Sequence, residues 1–268
     1  MNNFFDANIK YDDVSFRYQR APSIERRDMH QHHELLYYID GNATFICEKF
    51  RKTLTPGSLL LIPREHYHYF QIEEPENFER LRIYFTEIEA AEGFIGELTS
   101  EVKIFESLDN IQRTLLDGLC SKMLENSEDE KTRAMAYGSL VVLLSTLSKN
   151  ESISFHADSY SYPNGSTQIF ISHILKHIDT NLTGNISAEI IAKQMNVSLS
   201  TLSHLFKKHM GISLHRYVVQ KRLILAQRLI SEGHNPTKVY IDCGYGDYSS
   251  FYKAYLKMFG NPPSHAKK

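Results

Sequence analysis

Two stretches of this chain end alike. Residues 205–214 read LFKKHMGISL, and residues 254–263 read AYLKMFGNPP. Each closes a helical pattern on a glycine, Gly211 and Gly260, and each is preceded by a shorter helix and a tight break. In the first copy the break falls at Met195-Asn196-Val197, and Ser198 is placed to cap the helix that follows. Ala192 is small where two helices must approach, and Ile191, Val197, Leu202, Leu205 and Phe206 make a shared core. In the second copy Asp247 is the cap, and Val239, Ile241, Tyr245, Phe251 and Tyr255 supply the core. Phe251, Tyr255 and Phe259 recur at i, i+4 and i+8, the spacing of one helix face. A supersecondary unit met twice constrains the fold more than either copy does. Helices are expected at about 168–181, 187–194, 198–209, 213–231, 236–242 and 247–259.

The faces turned away from those cores are polar. The first copy leaves Ser200, Ser203, His204, Lys207 and Lys208 outward, and the second leaves Tyr248, Ser249, Tyr252 and Lys253. Short hydroxyls let a backbone approach a groove, while lysine or protonated histidine meets acceptors on bases and phosphates. This is helix-turn-helix grammar for double-stranded DNA. A net charge of −2 argues against it only on average. Residues 1–165 carry 17 Lys+Arg against 27 Asp+Glu, whereas residues 166–268 carry 13 against 5 and hold seven of the 13 histidines. An acidic module is joined to a basic one.

Residues 168–265 resemble the DNA-binding domain of the AraC family of bacterial transcription regulators. The resemblance is carried by Gly244-Tyr245, Phe251, Lys253, Tyr255-Leu256-Lys257, Gly260 and Pro262-Pro263. It implies two helix-turn-helix units joined by a linker helix, double-stranded DNA and RNA polymerase as partners, and activation as the outcome. Three positions depart from the family pattern. Tyr240 stands where a small Ala is usual, Leu256 replaces a usual Lys, and His204 stands where Arg is common.

The acidic half reads differently. From about Val14 to Phe85, ELLYYIDG, ATFICEKF, SLLLIP, HYHYFQI and ERLRIYF are strands separated by turns at Gly41-Asn42, Pro56-Gly57 and Pro75-Glu76. Strands at this spacing form a sandwich or small barrel. From Leu108 the period becomes helical. Ile111, Leu115, Leu119 and Met123 recur at i+4, and residues 131–149 form a second helix beyond the solvated ENSEDEK. The two apolar stripes serve either as a dimer seam or as a cover for the barrel. HADSYSYPNGS, residues 156–166, has the small polar residues of a linker. The expected fold is therefore α+β: a cupin-like β-barrel at 1–107, a helical dimerisation segment at 108–155, the linker, and an all-α double helix-turn-helix domain at 167–268.

His30, Glu34, Gly41, Pro56-Gly57, Pro63 and His68 resemble the cupin-type sensor domain found in many AraC-family members. That resemblance implies a small-molecule effector, a sugar or related metabolite, inside the barrel. Along a strand His30, His32 and Glu34 share one face, His66 and His68 another, and Arg80, Arg82 and Tyr84 a third. The candidate effector contacts are His30, His32, Glu34, His66, His68 and Arg82. Imidazoles beside a carboxylate would also suit a metal-dependent cupin enzyme fused to a DNA-binding tail. Metal cupins, however, usually place the Glu further after the His pair than the single residue found here. No catalytic residue, cofactor or metal ligand is therefore expected.

Composition agrees with a soluble regulator. With 42% hydrophobic and 23% charged residues over 268 positions, two modest domains can each bury a core. The longest apolar run, Leu140 to Leu144, is too short to cross a membrane. The N-terminus lacks a secretory signal, and three scattered cysteines point to reduced thiols in the cytoplasm. The expectation is a cytoplasmic, homodimeric regulator.

Overall fold

The computed structural model describes residues 5–11, 13–21, 29–48, 50–125, 129–148, 152–155 and 165–266. The chain divides into two compact units, residues 1–160 and 161–268. Most of the expected linker lies outside the described residues, and its last two positions open a helix.

In the first unit the strands are β1 (Phe5–Tyr11), β2 (Val14–Arg20), β3 (His33–Asp40), β4 (Ala43–Cys47), β5 (Phe50–Thr53), β6 (Leu59–Ile62), β7 (His68–Ile72), β8 (Glu79–Phe85), β9 (Val102–Phe105) and β10 (Ile153–Phe155). They form a seven-stranded sheet ordered β1-β2-β8-β3-β6-β9-β10 and a three-stranded sheet ordered β5-β4-β7. Among the described residues no ladder joins the two sheets, so the expected barrel is built as two antiparallel layers packed face to face. ATFICEKF, read as one strand, is two: the chain breaks at Glu48, whose φ of 46° is positive.

Period-two alternation gives the large sheet two different faces. Leu35, Tyr37, Leu59, Leu61, Leu81, Ile83 and Phe85 point into one core. That core is closed by Leu116, Leu119 and Met123 of α2 (Asn110–Glu125) and by Leu140, Leu143, Leu144 and Leu147 of α3 (Glu130–Leu147). A short α1 (Glu92–Leu98) precedes β9. On the opposite face Leu36, Tyr38, Leu60, Ile62 and Ile104 meet Phe45, Phe50 and Phe70 of the small sheet. The two long helices thus cover the sheet.

The stripe expected on α2 is rotated. A strict i+4 series advances by about 40° per step on a helix of 3.6 residues per turn, so it leaves the buried face. The buried set is Gln112, Leu116, Leu119 and Met123, and Ile111 is 60% exposed. Gln112 tolerates burial because its side chain accepts from the Asp109 N–H at 3.0 Å. Its own N–H donates to Asp109 Oδ1 at 2.8 Å, a reciprocal cap.

The second unit is all helical: α4 (Gly165–Asn181), α5 (Ala188–Gln194), α6 (Leu199–Met210), α7 (Leu214–Ser231), α8 (Val239–Asp242) and α9 (Tyr248–Phe259). Leu202 and Phe206 of α6 are buried, and Phe206 meets Tyr217 of α7 at 5.8 Å. Leu223, Ala226 and Ile230 of α7 pack with Val239, Cys243, Phe251 and Tyr255. Ile241, expected in that core, is 61% exposed, because α8 is a single turn that turns Val239 inward, with Cys243 buried just beyond its end. Tyr240, in place of a small residue, lays its ring against Tyr248 at 5.8 Å and Phe251 at 6.4 Å.

Gly244 sits at φ +79° with Thr183 O only 2.7 Å from where a Cβ would stand. Gly244→Ala should therefore lower the stability of the second unit by at least about 1–3 kcal/mol. Gly246→Ala, which meets nothing within 4 Å, is the control. Calorimetric unfolding of the two variants checks the contrast.

Candidate ligand pocket and nucleic-acid interface

The face of the large sheet that does not meet the long helices turns from apolar to polar along β3, β8 and β2. On β8, Arg80, Arg82 and Tyr84 alternate with the core residues Leu81, Ile83 and Phe85. Pairing places Glu34 of β3 opposite Tyr84, and Leu36 opposite Arg82. Arg17 and Gln19 of β2 lie opposite Arg82 and Arg80.

Glu34 is fully buried. Its Oε1 accepts from Arg82 Nε at 2.7 Å, and its Oε2 lies 3.1 Å from both His30 Nε2 and His68 Nε2. Burial pushes this carboxyl up. The Arg82 guanidinium and the contacts from the two imidazoles outweigh that push and hold it well below its ordinary value. Arg82 also lies 4.9 Å over the Tyr84 ring, whose phenol burial pushes upward. Arg80 is buried, donates twice to Gln19 Oε1 at 2.9 and 3.1 Å, and faces the Phe70 and Phe78 rings. Arg17 pairs with Asp6.

Of the six candidate contacts, four converge: His30, Glu34, His68 and Arg82. His66 is half-buried, and His32 is exposed with its ring at the edge of the cluster, 6.3 Å from the His30 ring and 6.5 Å from the Tyr84 ring. Both also serve through the backbone, because their carbonyls lie 2.9 Å from His30 Nδ1 and His68 Nδ1. The expected strand face containing both His30 and His32 does not form, since β3 begins only at His33. His33 accepts from the Arg64 N–H at 3.3 Å, and burial pulls its pKa down to about 4, so it stays neutral. Arg17, Arg80 and Gln19 complete the polar face. Arg17 and Gln19 were legible only as the alternation of VSFRYQR.

In the second unit the two long helices of the repeated motif are closed alike. Ser198 accepts from the Thr201 N–H and Asp247 from the Ser250 N–H. Hydrogen bonds from Ser250 hold the exposed Asp247 carboxyl below its ordinary value. At the other ends Gly211 and Gly260 both sit at φ 74° and donate to Lys207 O and Leu256 O. Ser200, Ser203, His204, Lys207 and Lys208 are exposed on α6, as are Ser249 and Lys253 on α9. Tyr252 and Tyr248 are half-buried, and Tyr248 is shared with the core through Tyr240 and Phe251. Between the copies, Arg222 of α7 donates to Leu182 O at 2.9 Å and Gly184 O at 2.7 Å, and faces the Tyr245 ring.

A family model described as an AraC-like ligand binding domain matches residues 13–140, and one described as a helix-turn-helix domain matches residues 191–268. The Msm operon regulatory protein of Streptococcus mutans is 22% identical over 99% of this chain and 94% of its own length. The probable transcriptional regulator LumQ of Photobacterium leiognathi is 36% identical over 89 residues, 33% of this chain. The HTH-type transcriptional activator RhaS of Salmonella arizonae is 28% identical over 94 residues, 35% of this chain. These two matches span about a third of the relatives themselves, 36% and 34%. The crystal structure of ToxT from Vibrio cholerae aligns over 98% of this chain and 95% of that one, at 14% identity and a TM-score of 0.40. With one domain match on each unit, and a relative matched along nearly its whole length, this chain belongs to the AraC family of transcription regulators.

Proposed function

We propose that the chain controls transcription by presenting α6 and α9 to successive major-groove faces of double-stranded DNA, under the control of a small molecule held between its two sheets. The observation that carries this reading is the duplicated helix, capped in the same pattern in both copies, with an exposed face of hydroxyls and lysines, set in the basic part of the chain. Ser200, Ser203, His204, Lys207 and Lys208 form one contact set, and Tyr248, Ser249, Tyr252 and Lys253 the other. His30, Glu34, His68 and Arg82 offer the effector donors and acceptors suited to the hydroxyls or carboxylate of a sugar or related metabolite.

In this reading residues 1–107 sense, 108–155 dimerise, 156–166 link and 167–268 read DNA. The protein acts as a cytoplasmic regulator and not as an enzyme, with RNA polymerase as partner and activation as outcome. RhaS is named as an activator. No described helix is long and apolar enough to cross a membrane.

Residues 166–268 alone should bind DNA with affinity that falls about a hundredfold between roughly 50 and 200 mM salt, as for about four phosphate contacts. Lys253→Ala should relax base preference at one position by about 1–3 kcal/mol. Lys207→Ala should weaken all sequences alike and reduce the salt slope by about one. Selected-site sequencing with salt titration separates the two, and an unchanged preference in Lys253→Ala would remove α9 from the groove.

The dimer proposal keeps only Ile111 of the i+4 stripe, because Leu119 is 3% exposed and belongs to the core under the sheet. Ile111, Leu124, Met135 and Val142 are the large apolar side chains that α2 and α3 leave exposed among the described residues. Ile111→Glu with Val142→Glu should give folded monomers in sedimentation at micromolar concentration. Leu119→Glu should instead unfold the first unit.

A further inference from the structure

We propose that His30, Glu34 and His68 form a binding site for a divalent first-row transition metal, taken up by the two Nε2 atoms and Glu34 Oε2. The proposal rests on reading the space between the sheets as the ligand pocket, and it revises the expectation of no metal ligand.

The argument lies in the hydrogen-bond partners of the two imidazoles. His30 Nδ1 is 2.9 Å from the His32 carbonyl, and His68 Nδ1 is 2.9 Å from the His66 carbonyl. A carbonyl oxygen only accepts, so each Nδ1 carries a proton. In the neutral ring each Nε2 is then a bare lone pair. Both lone pairs face one oxygen, Glu34 Oε2, at 3.1 Å. An ionised carboxylate also only accepts, so the neutral site sets lone pair against lone pair twice.

One dication seated between them resolves this, because all three lone pairs then find a common partner. The two rings stand 5.1 Å apart and edge-on, on the same side of the carboxylate. The three ligand atoms already lie within 4.8 Å of one another.

The surroundings are those of a metal site. Each histidine anchors its other nitrogen on a backbone carbonyl, and Arg82 orients the carboxylate by donating to Glu34 Oε1 at 2.7 Å and, at the longer distance of 3.4 Å, to the Oε2 that faces the rings. Two imidazoles and one carboxylate select Zn²⁺, Ni²⁺, Co²⁺ or Fe²⁺ over Mg²⁺ and Ca²⁺. Three protein ligands leave a coordination position open. The dication and Arg82 outnumber the one carboxylate, so that position suits an effector oxygen bearing negative charge. The metal here holds a ligand, and no reaction is assigned to it.

The test uses the full-length protein, stripped with a chelator and dialysed. Titration with zinc chloride should leave about one Zn²⁺ per chain by elemental mass spectrometry. It should also raise the unfolding midpoint by roughly 5 °C at a hundredfold excess over Kd. Magnesium chloride should do neither. His30→Ala and His68→Ala should each lose more than about 100-fold in zinc affinity, beyond what loss of a supporting partner costs. His173→Ala, an exposed histidine on α4, should bind as the parent does. His30 lies outside β3 and is half-buried, so its variant is the milder one, with folding checked by circular dichroism. Cobalt substitution of the unmodified protein gives a second measurement through its visible absorption bands. Absence of stoichiometric zinc, or zinc affinity in both histidine variants equal to the parent's, overturns the site. DNA binding measured on the same preparation reports separately on the regulator reading.

Discussion

A carboxylate with no exposure dictates its neighbours. Leaving Glu34 unpaired between two sheets would cost several kcal/mol. Strand pairing brings Arg82 within 2.7 Å of it, and the segments before β3 and at the start of β7 bring the two imidazoles. The rest of the first unit can be read outward from that cluster. β3 and β8 each send one row of side chains toward α2 and α3 and the alternate row toward the cluster and the small sheet. A one-residue slip of β8 against β3 would send Arg80 and Arg82 into the apolar core and strand Glu34 among hydrocarbons. The ion pair and the core therefore specify the same register, each excluding the slip on its own.

The second unit is specified more locally. Ser198 and Asp247 satisfy free N–H groups at the start of α6 and α9, and Gly211 and Gly260 close their ends. These devices need no distant partner. What remains on each helix after the core positions are removed is the polar face that we assign to DNA.

That difference explains what was legible in the chain. The helices of the second unit were placed nearly residue by residue because caps and terminal glycines are local signals. α8 came out shorter than expected, and Ile241 was misassigned because a single turn carries no periodicity to read. In the first unit the segments read as strands leave out β1, β2, β9 and β10. The last two are four and three residues long and pair with each other across nearly fifty positions. The α2 stripe was misjudged by counting in fours. The buried polar cluster is half legible: four of the six candidate residues converge, but strand alternation does not extend to His30 and His32, which precede β3. Convergence of Glu34 with Arg82 and His68 depends on strand register and sheet packing, and no short window contains it.

Arg222 has a consequence for the DNA itself. One guanidinium holds the loop that leads into α5 and faces the turn that leads into α9, with α7 as its base. If α6 and α9 read one side of a duplex, the angular phase between them belongs to the protein. A base pair inserted between the two contacted segments turns the second by roughly 35° on a helix of 10–10.5 base pairs per turn. A clamped ruler cannot follow that rotation, so the duplex must twist or bend to meet it. Flexible steps between the contacted segments would then raise affinity although no side chain touches them.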